Sequence, residues 1–401
     1  MKLSNRVVGM NFSPIRKLSD KAKLVEESGI SIYRLNIGQP EIETPEVFYK
    51  NIRSFDKKIL KYSNSRGESS LLNAIINFYG NQDIKLSQKD IIVTNGASEA
   101  LVFAIQSICD VGDEVLVPEP LYTNTKSIIE YLGVKAIPIP TTEAINYHFP
   151  SMDAIEDLIT DKTKGIIITN PNNPTGTVYS NLDLESLKIL ALKYKLFIIS
   201  DEVYRFITFD QVISDSLLSF EDLIDHVIVV DSVSKRYSSC GARIGCVISK
   251  NQLLMDNMMK LAQARLSVSV LNQIGATSLY NMDFDYTKHI KSMYERKRDI
   301  TLSILKNIPN ISYSVPKGAF YIIVTIPGVD TEHFAEWLLT SFSYDGKTVL
   351  VAPLRDFYIN KKLGLDQIRL AYVLEDNALS EALKIFEKGV STYLNQYPQL
   401  I

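Results

Sequence analysis

Cysteine, histidine and net charge are all scarce in this chain. Its 401 residues include three cysteines and four histidines, and its formal net charge is −3. Cys109, Cys240 and Cys246 stand in apolar or glycine-rich surroundings without metal-ligand spacing. They read as reduced thiols of a cytoplasmic protein, not as a disulfide frame. The histidines form neither an HExxH pair nor a cluster, so no metal site is expected. Without a basic excess there is nothing to neutralise the phosphates of a nucleic acid. No apolar run reaches the ~18 residues of a membrane span. The opening stretch from Met1 to Arg6 lacks the apolar segment of a secretory leader, so none is expected.

The length suits a large domain with a smaller companion. From Asp90 onward, short β-branched runs alternate with helical patterns. Strands are expected at Asp90–Thr94, Glu114–Val117, Lys135–Ile139, Gly165–Thr169, Leu196–Ser200 and His226–Asp231. Helices are expected at Ser98–Cys109, Asn124–Leu132 and Leu182–Tyr194. This alternation predicts an α/β fold: a large domain over 46–284 with a mostly parallel sheet covered by helices on both faces. After about Asp283 the pattern changes to a smaller α+β domain. It has helices at Asp285–Ile308, Thr331–Ser343 and Asn377–Asn395, a strand pair around Pro316–Gly318, and strands at Val349–Ala352 and Ile368–Val373. Residues 1–45, helical over Ile15–Ser28 and extended over Tyr33–Leu35, are expected to join residues 285–401 as an N-terminal arm.

Ligands of a parallel sheet gather at the carboxyl ends of its strands, and the chemically suggestive motifs follow strands. Ser232-Val-Ser-Lys235-Arg-Tyr-Ser-Ser-Cys-Gly-Ala-Arg243 offers a lysine able to form an imine with an aldehyde cofactor. Ser232 and Arg243 flank it as partners for one anion. The same stretch also reads as a glycine-rich turn with a solvated lysine. In Ser200-Asp201-Glu202-Val203-Tyr204, Asp201 can cap a helix or pair with a protonated ring nitrogen, and Tyr204 can donate to a ring oxygen. Asn170-Pro-Asn-Asn173-Pro174-Thr-Gly176 is a turn that can present the Asn173 amide to the same ring oxygen, with a cis Asn173–Pro174 bond open to it. Gly96, Ala97 and Ser98 open a helix and can hold an anion or simply cap it. Tyr122, after Pro118-Glu-Pro120, can stack on a flat ring or merely pack. Arg369 interrupts an apolar strand and needs a carboxylate, either from the protein or from a substrate.

In this order, these motifs resemble the fold-type I pyridoxal 5'-phosphate (PLP) enzymes, and within them the class I/II aminotransferases that include aspartate aminotransferase. The resemblance runs from about Ser13 to the C-terminus. It implies the fold-type I architecture, PLP as cofactor, and a homodimer with active sites at the subunit interface. It also implies transfer of an amino group between an L-amino acid of the aspartate or glutamate type and a 2-oxo acid. Lys235 would carry the cofactor and shuttle the proton, with Asp201 on the ring nitrogen and Tyr204 and Asn173 on the ring oxygen. These make Lys235, Asp201 and Tyr204 the expected catalytic residues. Ser232, Arg243, Gly96, Ala97 and Ser98 would bind the phosphate, Tyr122 would stack on the ring, and Tyr62 would reach the phosphate of the other subunit. Arg369 would clamp the substrate α-carboxylate with help from Asn173 and the backbone of Gly38.

Two departures stand out. Ala242 occupies a position often held by tryptophan, and the loop Pro353-Leu-Arg355-Asp356-Phe357 is charged and bulky where the family usually has a small-residue pattern. No second arginine matches the one some members use for a dicarboxylate side chain. Arg16 and Arg355 are the candidates for that role, or else solvated surface residues. A PLP-dependent lyase, or a side-chain-modifying PLP enzyme such as a cyclase or hydroxylase, stays open as the alternative. A non-catalytic regulator of this fold would carry a DNA-binding domain for which the chain has no room.

Overall fold

The computed structural model describes residues 1–10 and 16–397. In chain order its strands are β1 (Ser31–Arg34), β2 (Ile91–Thr94), β3 (Glu114–Glu119), β4 (Lys135–Pro140), β5 (Thr163–Thr169), β6 (Phe197–Asp201), β7 (Val227–Ser232) and β8 (Gly245–Ile248), followed by β9 (Tyr321–Thr325), β10 (Lys347–Leu350), β11 (Ala352–Pro353) and β12 (Gln367–Ala371).

Seven of them form one sheet in the order β2-β8-β7-β6-β5-β3-β4. The pairs β6–β7, β5–β6, β3–β5 and β3–β4 are parallel, and β8 runs antiparallel to both its neighbours. Because β8 opposes both β2 and β7, β2 points the same way as the parallel strands. Its carboxyl end therefore opens on the same edge.

Strand residues alternate between two apolar layers, as a pleat of period two requires. Ile166, Ile168, Val227 and Val229 face a layer containing Leu184, Leu187, Leu190, Ile75 and Leu279. Ile167, Ile228 and Val230 face the other, with Leu101, Ile105, Ile128, Met255 and Met258. The helices Ser69–Gly80, Asn181–Tyr194 and Val270–Tyr280 cover the first face. Gly96–Ile108, Thr123–Leu132 and Gln252–Arg265 cover the second. With both faces apolar, the strands read as continuous runs of Ile and Val.

A second core gathers β9, β12 and the helices Phe284–Leu305, Thr331–Thr340 and Asp376–Gln396. There β11-β12-β9 form an antiparallel sheet, and β1 pairs parallel with β10. The arm segment around Tyr33 thus does return to the C-terminal part of the chain. Of the helix expected over Ile15–Ser28, Ile15 lies outside the described residues; the observed helix is Ser19–Glu27, with Leu18 at its N-cap. The turn Asn5–Val8 sits elsewhere, with Arg6 donating to Tyr131 O at 3.4 Å on the helix Thr123–Leu132.

The strand pair expected around Pro316–Gly318 is a single bridge from Thr208 to Gly318, and β9 begins at Tyr321. Pro316 has no N–H to give. Those of Lys317 and Gly318 both go to Gly176 O at 2.9 Å, leaving none for a strand partner. Among the described residues no helix is long and apolar enough to cross a membrane.

Candidate active site

One pocket at the carboxyl edge of the large sheet is lined by Ala97, Ser98, Tyr122, Asn173, Asp201, Tyr204, Ser232, Lys235 and Arg243. Residues from five separate sequence motifs meet there because β2, β3, β5, β6 and β7 all end on that edge.

Lys235 lies in the one-turn helix Val233–Arg236, which starts as β7 ends. Ser232 is its N-cap: Ser234 N donates to Ser232 Oγ at 3.0 Å, and that hydroxyl also lies 3.0 Å from Ile244 O. The cap turns the chain so that Lys235 Nζ reaches Gly38 O at 2.8 Å, with Cys240 Sγ 3.9 Å away. Burial pulls the Lys235 ammonium below its ordinary range, and the positive charges of Arg369 and Arg243 act in the same direction. A lysine so placed has more of its neutral, nucleophilic form at neutral pH.

Asp201 ends β6 and is 6% exposed. Among the described residues its carboxylate accepts one hydrogen bond, from Val203 N at 3.3 Å. Burial, reinforced by the nearby Asp231 and Glu202 charges, pushes its pKa up to about 7. A buried carboxylate with a single weak donor is a good partner for a cationic ring nitrogen, which would draw its pKa back down.

The opposite charge is supplied by Arg243. Its guanidinium donates to two backbone carbonyls, Cys240 O at 3.0 Å and Asn95 O at 3.3 Å, and meets no carboxylate among the described residues. Gly96 holds φ at +75°, and a Cβ there would stand 2.4 Å from Arg243 Nη2. Glycine therefore lets the guanidinium lie against the first turn of the helix Gly96–Ile108, beside Ala97 and Ser98. Backbone N–H groups, hydroxyls and a fork of N–H donors make a set suited to a phosphate. The donor set thus fits PLP: an aldehyde-reactive amine, a carboxylate for the ring nitrogen, and a phosphate cradle.

Arg369 on β12 is 1% exposed. Nη1 donates to Asn173 Oδ1 at 2.9 Å and Nη2 to Asn36 O at 2.7 Å, while Nε has no acceptor among the described residues. No carboxylate of the described residues pairs with it. Asn173 precedes a cis bond to Pro174, and Asn170–Pro171 and Glu119–Pro120 are cis as well. Tyr122 caps the helix Thr123–Leu132, and burial raises its phenol while the charges of Arg369 and Arg16 oppose that rise.

A family model described as "Aminotransferase class I and II" matches residues 30–386. The chain belongs to the class I and II aminotransferases. It is similar to an aspartate aminotransferase of Pyrococcus horikoshii, 28% identical over 97% of this chain and 97% of that protein. It is likewise similar to an aromatic-amino-acid aminotransferase of Thermococcus litoralis, 29% identical over 97% and 98%. Among solved structures, an alanine aminotransferase from Pyrococcus furiosus superposes with a TM-score of 0.88 at 30% identity, covering 98% of this chain and all of that one. The fold is that of the aspartate aminotransferases, and the protein is an aminotransferase.

In this aminotransferase Tyr62 is 82% exposed and stands apart from its own chain's pocket. Arg16 and Arg355 are both exposed; Arg355 lines a separate surface cleft with Thr141, Glu143 and Lys361. The largest omission of the sequence reading is Tyr321. It touches Tyr204, Arg369 and Gly38 at once, yet in the sequence it is one more aromatic at the head of an apolar strand. Cys240 was missed for the same reason: only the short helix at Lys235 brings it to the pocket.

Proposed function

We propose that this aminotransferase uses PLP bound at Lys235 and acts on donors of the aspartate or glutamate type as a cytoplasmic homodimer. The observation that carries the cofactor assignment is the single pocket that combines half-buried Lys235, buried Asp201 and an arginine, Arg243, that meets no carboxylate among the described residues. When bound, PLP supplies an aldehyde that binds the amino group and a ring that accepts the electrons released at Cα.

The protein groups do the rest. Ser98, Ser232, Arg243 and the first N–H groups of the helix Gly96–Ile108 hold the phosphate. Asp201 keeps a proton on the ring nitrogen. Tyr204 donates its hydroxyl hydrogen, and Asn173 its amide hydrogen, to the ring oxygen. Tyr122 stacks on the ring. Arg369 grips the α-carboxylate with the guanidinium N–H groups that Asn173 Oδ1 and Asn36 O leave over, backed by Asn173 and Gly38. Lys235 Nζ would hold the cofactor aldehyde and, as a free neutral amine, would be the base for the substrate Cα proton and the group that gives it back. Tyr62, exposed on its own chain, serves the phosphate of the partner subunit. We assign this work to a large domain over 46–284 and a smaller one built from 1–45 and 285–401.

The acidic donor is supported by relatives that carry the aspartate aminotransferase name. The test is a half-reaction. L-aspartate or L-glutamate, added without acceptor, should convert the bound cofactor to its amine form and release one 2-oxo acid per site. Conversion by alanine or phenylalanine alone would overturn the donor assignment. With cystathionine as substrate, whose Cβ carries a thiol leaving group, repeated release of homocysteine, pyruvate and ammonia would overturn transfer itself.

A further inference from the structure

Tyr321, which opens β9, has its hydroxyl 2.9 Å from that of Tyr204, and both side chains are buried. Its ring stands edge-on to Tyr204, with planes at 82° and centroids 5.8 Å apart. The guanidinium of Arg369 lies 4.4 Å from the centre of the same ring. A Cβ on Gly38 would sit 1.8 Å from the Tyr321 hydroxyl, so glycine is what admits the phenol to this position. The segment leading into Tyr321 is anchored to the large sheet's loops: Ala319 N donates to Ile207 O at 2.8 Å, and Gly318 N to Gly176 O at 2.9 Å.

We propose that Tyr321 is a positioning residue that couples the cofactor's ring-oxygen site to the substrate carboxylate clamp. This rests on the PLP reading above. Each phenol carries one proton. If Tyr204 gives its proton to the ring oxygen, its own oxygen is left to accept from Tyr321. The Tyr321 O–H therefore fixes the direction of the Tyr204 proton. The Tyr321 ring is also the floor on which Arg369 rests, and the cation–ring attraction holds the fork flat toward the substrate. One side chain thus sets two geometries, that of the Tyr204 hydroxyl and that of the Arg369 guanidinium.

The two roles separate by substitution. In the PLP-loaded enzyme, a hydrogen bond to the ionised ring oxygen lowers the pH midpoint of the cofactor's visible absorbance change, and losing that bond raises it. Tyr204→Phe should raise the midpoint. Tyr321→Phe should raise it by a smaller amount, about half a pH unit, because a supported donor is weakened and not removed. KM for the amino donor should stay within about twofold in Tyr321→Phe, since the ring under Arg369 remains. Tyr321→Leu should shift the midpoint as Tyr321→Phe does and also raise KM by about tenfold. Combining Tyr204→Phe with Tyr321→Phe should give no more shift than Tyr204→Phe alone, the mark of one residue acting through another. An unmoved midpoint in Tyr321→Phe, or additive shifts in the double variant, overturns the coupling. If Tyr204→Phe still moves the midpoint in that case, only Tyr321's role falls. If neither variant moves it, the placement of Tyr204 at the ring oxygen falls too.

Discussion

Lys235 Nζ donates to the carbonyl of Gly38 at 2.8 Å, joining the one-turn helix after β7 to a loop nearly two hundred positions earlier in the chain. Gly38 is also the residue whose missing side chain makes room for Tyr321. The amine, the backbone expected beside the substrate carboxylate and the wall of the pocket are thus held together by one short segment, Asn36 to Gly38.

Asp201 gives a prediction about both stability and activity. Its folded pKa, pushed up to about 7, lies above the ordinary carboxyl value of 3.8. Between those two values the folded state binds more protons than the unfolded state, so stability of the cofactor-stripped protein falls as pH rises through that window and levels off above it. The loss amounts to roughly 4 kcal/mol at most by the usual conversion. Asp201→Asn removes the titration. Denaturation of the stripped protein at pH 5 and pH 8 should show a steeper drop for wild type than for the variant, and equal drops would refute the buried-carboxylate picture. In the loaded enzyme, Asp201→Ala should slow turnover by orders of magnitude, because the ring nitrogen loses its counter-charge.

Arg369→Lys should raise KM for every donor alike, by about tenfold or more, since every donor has an α-carboxylate and an ammonium cannot reproduce a planar fork. The lysine would also leave Asn173 Oδ1 or Asn36 O without its donor. Steady-state kinetics with an acidic, an aromatic and an aliphatic donor decide the matter. A KM effect confined to one class would remove Arg369 from the α-carboxylate.

Arg16 and Arg355 part company once the fold is known. The charge of Arg16 is felt at Tyr122 in the pocket, whereas Arg355 lines another cleft and is felt at Lys17. Arg16→Ala should therefore lower the ratio of kcat/KM for aspartate over phenylalanine, and Arg355→Ala should leave that ratio near the wild-type value. The reverse outcome would move the side-chain reader to the Arg355 loop.

Much of this arrangement was legible in the sequence, and the unread parts have physical reasons. The buried parallel strands announce themselves as Ile and Val runs, because both faces must be apolar. The site motifs were legible because each follows such a run. β8 was not: Gly-Cys-Val-Ile is four residues long and trails a glycine-rich turn, so no period emerges from it. The helices Ser69–Gly80 and Val270–Tyr280 bury broad faces and mix small and polar residues, which blurs their periodicity. Tyr321 and Cys240 join the site through contacts between segments far apart in the chain, which no local pattern encodes.

The subunit arrangement is open to test at Tyr62. Tyr62, Ile59 and Leu60 are exposed together on one strip of the single chain. Equilibrium sedimentation should give twice the 45.2 kDa chain mass. Tyr62→Phe should weaken cofactor retention several-fold without changing that mass, because a hydroxyl is lost and the ring stays. A fully active, cofactor-loaded monomer would refute the shared site.

The central claim is that Lys235 carries the cofactor, and reduction tests it most directly. Borohydride should fix the cofactor onto the lysine that holds it, and peptide mapping by mass should place the label on the fragment containing Lys235. Lys235→Ala should take up no label and show no turnover, while still retaining some cofactor through Arg243, Ser98 and Ser232. A label on any other lysine, or undiminished turnover in Lys235→Ala, would contradict the account.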